Sequence, residues 1–302
     1  MKISTSNTSA SNSINTSNSI SSNSVTIDYS GIKFGSSYVA NTTAMSVGTN
    51  AITPSALSVG ALSVGGVLIG AGFLNGIVNC QFFTANGTWS KPGKLTGDET
   101  VFIMAWGAGG SGNTGTGGGG GACMVTILPV STFDNTCVVA VGTGAPGANG
   151  GNSTFAVNSS LTITAYGGGS ANGTVPGGGG GWLSSSTANG VGGFPYQGLT
   201  GSTGGNSLYG GGGGGTGTAG ANGGLSVFGG GGGGLSGSPN GYGGFSWFGG
   251  SGGGNSSPLK ASIMGGNGGN NTVSATTPGG GGGTATATAA GANGEVRVWV
   301  LG

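Results

Sequence analysis

The 302-residue chain has no histidine, and only six Lys or Arg and five Asp or Glu, 4% of its length. Soluble domains are ordinarily about a quarter charged. Without histidine, nucleophile–base catalysis lacks its usual proton acceptor. Zinc sites lose one of their two main ligand types, and the three cysteines, Cys80, Cys123 and Cys137, form no CxxC pair. A net charge of +1 gives nucleic acid and anionic membranes nothing to attract. Between residues 135 and 259 there is no charged side chain at all, so Ser, Thr, Asn and exposed peptide groups must keep that stretch in solution.

Further absences narrow the class. The N-terminus, MKISTSNTSA, has no apolar core of a secretory signal, which predicts synthesis in the cytoplasm without a signal peptide. Reduced thiols then follow, with a Cys123–Cys137 disulfide as the minor alternative. The weakly apolar stretch 56–78 is broken by six glycines and lacks a basic flank, which argues against a transmembrane helix. No segment places apolar residues at helical spacing, so almost no α-helix is expected. Five carboxylates exist for sugar chemistry: Asp28, Asp98, Glu99, Asp134 and Glu295. None pairs with another in a way that suggests facing acids. Solvated or turn-forming roles explain them, and the chain is read as no enzyme, with no cofactor, no metal and no catalytic residue. Gly-x-Gly-x-x-Gly patterns arise by chance among 80 glycines and say nothing about nucleotides.

What is present falls into two textures. Residues 1–79 are rich in Ser, Asn and Thr and carry the unit Ala-[Met/Leu]-Ser-Val-Gly at Ala44, Ala56 and Ala61. Short repeats that cannot bury a face alone suggest a disordered arm or stacked β-structure completed by identical chains. Such repeats favour the second, an oligomerising stalk or attachment segment. From Cys80 the pattern changes. Asn86-Gly87 between apolar runs predicts a hairpin. Residues 101–106 alternate, with Phe102, Met104 and Trp106 on one face and Val101, Ile103 and Ala105 on the other. Further strands are predicted at 122–128, 137–141, 161–166 and 295–301.

Runs of five or six glycines lie at 117–121, 177–181, 210–215, 229–234 and 279–283. Collagen requires a strict Gly-X-Y period and many prolines, and nine prolines with blocked glycines exclude it. One such run would be a linker. Several suggest a lattice of three-per-turn polyglycine-II helices, each satisfying the outward N–H and C=O groups of its neighbours. The connections support order, because they hold Trp182, Phe194, Tyr196, Tyr209, Phe228, Tyr242, Phe245, Trp247 and Phe248. Ala-Asn-Gly recurs six times as turn chemistry, at Ala85, Ala148, Ala171, Ala188, Ala221 and Ala292. The fold expected is mainly β: a repetitive N-terminal segment (1–79), then a sandwich-like domain (80–302). In that domain 80–166 and 294–302 form the scaffold and 167–293 a polyglycine insertion.

The order FFTANGTWSKPG (82–93), VFIMAWGAGGSG, GGGGGACMV, LTITAYGGG and closing GANGEVRVWVLG resembles the glycine-rich domain of phage tail fibre and tail proteins. The glycine blocks also resemble the polyglycine sandwich of fibre-tip adhesins. The resemblance covers 80–302. It implies a virion fibre or tail protein, commonly a homotrimer, held to other virion proteins through the N-terminal segment. Loops between glycine helices would then meet a bacterial surface glycan or an outer-membrane protein. A structural fibre, collar or decoration protein is the alternative. The receptor-binding candidates are Trp182, Phe194, Tyr196, Tyr209, Tyr242 and Trp247. Phe228, Phe245 and Phe248 are read at least equally as caps on the lattice.

Overall fold

The computed structural model describes residues 25–26, 33–34, 61–64, 67–70 and 79–302, except 94, 96, 187–189, 196–197, 200–203, 217–219, 238–240, 256–260 and 285–288. The chain divides into two units, Met1–Ser63 and Val64–Gly302. In the first, β1 (Val25–Thr26) pairs antiparallel with β2 (Lys33–Phe34). β3 (Ala61–Val64) and β4 (Val67–Gly70) form another two-stranded sheet. The rest of the expected stalk lies outside the described residues.

The second unit contains a sandwich of two four-stranded antiparallel sheets. β5 (Asn79–Phe83), β12 (Glu295–Leu301), β7 (Thr100–Trp106) and β8 (Cys123–Pro129) form one, in that order. β11 (Leu161–Ala165), β10 (Ser153–Asn158), β9 (Thr136–Ala140) and β6 (Gly87–Ser90) form the other. Between them lies one core, with Val101, Ile103, Ala105, Val296, Val298 and Val300 meeting Trp89, Cys137, Val139, Phe155 and Ile163. These are the alternate positions predicted to share a face, and the last strand does join the first into one sheet. The only helix among the described residues is a 3-10 turn, Val130–Thr132.

One expectation is corrected. Asn86-Gly87 does not close a hairpin: β5 pairs with β12, and β6 pairs with β9 across the sandwich. The turn is a corner between sheets. Asn86 is held there because its Oδ1 accepts the Val141 N–H at 2.8 Å, a bond to a distant segment. Strand β10 escaped the reading, having only Phe155, Ala156 and Val157 as apolar positions, although its burial alternates.

The glycine runs leave the sandwich where β7 ends and β8 begins. Gly107 N–H still donates to Ala122 O, continuing the ladder of the two strands. A Cβ on Gly107 would lie 2.2 Å from Tyr166 O, and one on Gly121 2.0 Å from Gly107 O, so side chains cannot follow. Beyond that row the hydrogen bonds change period. Within the run 117–122, N–H groups 117 and 120 donate to Gly234 and Gly231, 118 and 121 to Gly282 and Gly279, and 119 and 122 to Gly169 and Tyr166. The carbonyls repeat the rule: 117 and 120 accept from Gly177 and Gly180, 118 and 121 from Gly253 and Gly250, 119 and 122 from Gly110 and Gly107. All twelve bonds are between 2.8 and 3.0 Å. A repeat of three, with no glycine of 117–121 at positive φ, is the left-handed polyproline-II type of helix.

This helix therefore has six neighbours and no unsatisfied peptide group. The run 229–234 is a second such centre. It bonds to segments holding Gly180, Gly250, Gly224, Gly212, Gly120 and Gly244. The central run 117–121 lies earlier in the chain than the insertion expected at 167–293, because the lattice recruits the β7–β8 and β9–β10 connections as well.

Candidate recognition surface

At one end of the lattice the runs turn through a repeated four-residue unit, Ser-x-[Tyr/Phe/Met]-Gly, at Ser207, Ser226, Ser246 and Ser262. The serine is buried in the first three units and half-buried at Ser262, and in the last three it does the same task. Ser226 Oγ donates to Gly210 O, Ser246 Oγ to Gly229 O and Ser262 Oγ to Gly249 O, each at 2.7 Å. Main-chain bonds link successive turns: Trp182 N–H to Tyr209 O, Phe228 to Leu208, Phe248 to Val227 and Met264 to Trp247. Ser207, Ser226 and Ser246 form parallel bridges. The result is a five-rung ladder, in which each rung offers one side chain along the lattice and one outward.

The first row is an aromatic stack. Tyr209 and Phe228 lie 5.3 Å apart and nearly parallel, Phe228 and Phe248 4.9 Å apart and nearly parallel, and Trp182 tilts against Tyr209 at 5.1 Å. Trp182 Nε1 donates to Cys123 O, and Trp106 Nε1 to Phe248 O, tying the stack to strands β7 and β8. The second row is Leu183, Leu208, Val227, Trp247 and Ile263, of which all but Val227 stand exposed.

The predicted residues fall in different places. Trp182 and Tyr209 belong to the stack, with their ring faces turned towards other rings. Trp247 is 49% exposed on the outer row, edge-on to Phe245 at 5.7 Å. Phe194 is 57% exposed, on a turn where its N–H meets Ser184 Oγ at 3.0 Å. Tyr242 is half-buried on another connection, its N–H bonded to Asn222 Oδ1. Tyr196 lies outside the described residues. Leu183, Leu208 and Ile263 were missed because aliphatic residues between glycines read as filler. The serine spacing of the repeat is the signal that reveals Leu208 and Ile263.

Charge is nearly absent from this surface. On the outer face of the first sheet Arg297 is ion-paired with Glu295 and lies over the rings of Trp106 and Phe82, at 4.8 and 5.6 Å from their centroids. Cys123 packs with Met104 and Trp106, while Cys137 belongs to the sandwich core. Both thiols are free, as is the exposed Cys80. Burial pushes the Cys123 thiol far above the usual range, against a weaker pull from Arg297.

Among curated proteins no relative matches this chain. The model of the glycine-rich domain family matches residues 83–300, the sandwich and the whole lattice together, and the chain belongs to that family.

Proposed function

We propose that the chain is a virion fibre or tail protein of a tailed phage and that it binds a host receptor through side chains displayed on the turns of its polyglycine lattice. The observation that carries this reading is a rigid, main-chain-bonded core presenting exposed apolar side chains on short turns. Loops fixed on rigid scaffolds are where binding surfaces are usually placed. The absence of charge from 135 to 259 points to a neutral target, a glycan or an outer-membrane protein loop. Attachment to other virion proteins through residues 1–79, and assembly as a homotrimer, belong to the same proposal.

A second reading is favoured by the ring stack. Tyr209, Phe228 and Phe248 spend their faces on one another, as caps on a structural fibre, collar or decoration protein would. Adsorption of purified protein to a panel of bacterial hosts separates the two. The variant Phe194→Ala/Trp247→Ala removes exposed rings and leaves the stack intact. Loss of adsorption without loss of Tm, at a level insensitive to ionic strength, is the expected result. Unchanged adsorption moves the protein to the structural reading.

A further inference from the structure

The sheet β5-β12-β7-β8 is apolar on both faces. Its inner face is the sandwich core. Its outer face is a grid set by register: Cys80, Trp299, Phe102 and Ile127 in one row, and Phe82, Arg297, Met104 and Val125 in the next. The third row, Glu295, Trp106 and Cys123, is covered by the lattice through Phe248. The first two rows are not covered to that extent. Phe82 is 60% exposed and Ile127 61%, although Phe82 and Phe102 each pack a ring against Trp299. The ladder continues this surface, because Phe248 joins the cluster of Met104, Trp106 and Cys123.

A sheet apolar on both faces is the middle layer of a three-layer arrangement. Resting on the homo-oligomer of the reading above, we propose that the third layer is a neighbouring copy of this chain, seated on the grid of Phe82, Phe102, Ile127 and Trp299 and the adjoining rungs. Two quantities support that occupant. Phe82, Ile127, Leu183, Leu208, Trp247 and Ile263 each leave roughly half of their surface open. At about 100 Å² apiece they offer, over the grid and the ladder together, roughly 600 Å² of side chain, most of the ~800 Å² each partner contributes to a standard interface. The second quantity is charge. The grid's cation and anion, Arg297 and Glu295, already neutralise each other, so apposing two copies sets no net charge against its like.

Sedimentation of the full chain tests this, independently of what the molecule adsorbs to. The wild type is expected to run at a multiple of 28.0 kDa, and Phe82→Lys/Ile127→Lys at the mass of one chain with an unchanged far-ultraviolet spectrum. A wild type that stays a single chain at micromolar concentration overturns the proposal, whether the face is bare or covered by the chain's own N-terminal unit. A folded variant that keeps the wild-type mass overturns it equally. Should the variant not fold, Cys80 reports on the wild type, since it lies in the first row and is the one exposed thiol of three. Maleimide labelling several-fold slower in the associated species than in diluted single chains supports burial of the grid. Equal rates place the interface elsewhere and reject it.

Discussion

A hydrogen atom at the α-carbon is the part of this structure with the least tolerance. A Cβ on Gly120 would stand 1.9 Å from Gly250 O, and on Gly231 2.0 Å from Gly244 O. Gly120→Ala is therefore expected to destabilise by about 1–3 kcal/mol, as overpacking does. Gly231→Val/Gly232→Val is expected to cost more. Thermal melts check both, and a wild-type Tm for the double variant rejects the packed lattice. The asparagines of Ala-Asn-Gly act differently. Asn149 Oδ1 accepts the Ser170 N–H and Asn293 Oδ1 the Gly144 N–H, supplying acceptors where runs end. Asn149→Ala should cost about 1 kcal/mol, and Asn149→Asp, which keeps the oxygen, should recover part of it in the same melts. The Cys123 thiol adds a pH effect. Its folded pKa is raised, so the stability it contributes is complete below the ordinary thiol pKa of about 8.5. Above that the unfolded chain sheds its proton while the folded one keeps it. Stability should then fall by up to ~1.4 kcal/mol per pH unit. Denaturant titrations between neutral and alkaline pH read the slope, which Cys123→Ala should lessen.

The elements differ in how far the sequence discloses them. Strands β7 and β12 were legible because alternate Val and Ile fill one face, and their boundaries follow the pattern closely. Polyglycine helices were legible as a class, since only a mutual lattice satisfies so many bare peptide groups. Their neighbours were not, because a run of identical residues carries no register. The pairing is imposed by the turns, by asparagines, and by the serine rung. The corner at Asn86-Gly87 shows the limit: its turn chemistry reads correctly, but its partners are set by Val141, 55 residues later. The candidate surface was half legible. Rings stood out, while the aliphatic rungs needed the ladder to give them a common side. Ser226→Ala tests the rung itself. It leaves the buried Gly210 carbonyl without its Oγ donor and should cost about 1–2 kcal/mol, whereas Leu208→Asn on the exposed row should change Tm little.

As a whole, the second unit is one cooperative object, because β12 lies between β5 and β7 and the lattice spans everything between. Removing residues after 254 would delete the bonds that Gly118 and Gly121 make to Gly282 and Gly279, and the strand that joins β5 to β7. Calorimetry of that truncated chain should show no native transition; a smaller but sharp one would mean that the sandwich and lattice are separable. The six-neighbour helix also has a consequence for synthesis. Its residues leave the ribosome early, yet five of the six segments that bond to it, ending with 279–283, emerge later. A nascent chain must therefore carry this backbone open to water until residues 279–283 have emerged, and cannot lock its centre segment by segment as it grows. Glycine suits that wait: a bare peptide run offers no greasy side chain for other proteins to seize, so the segment that folds last into place is also among the least adhesive while it is exposed.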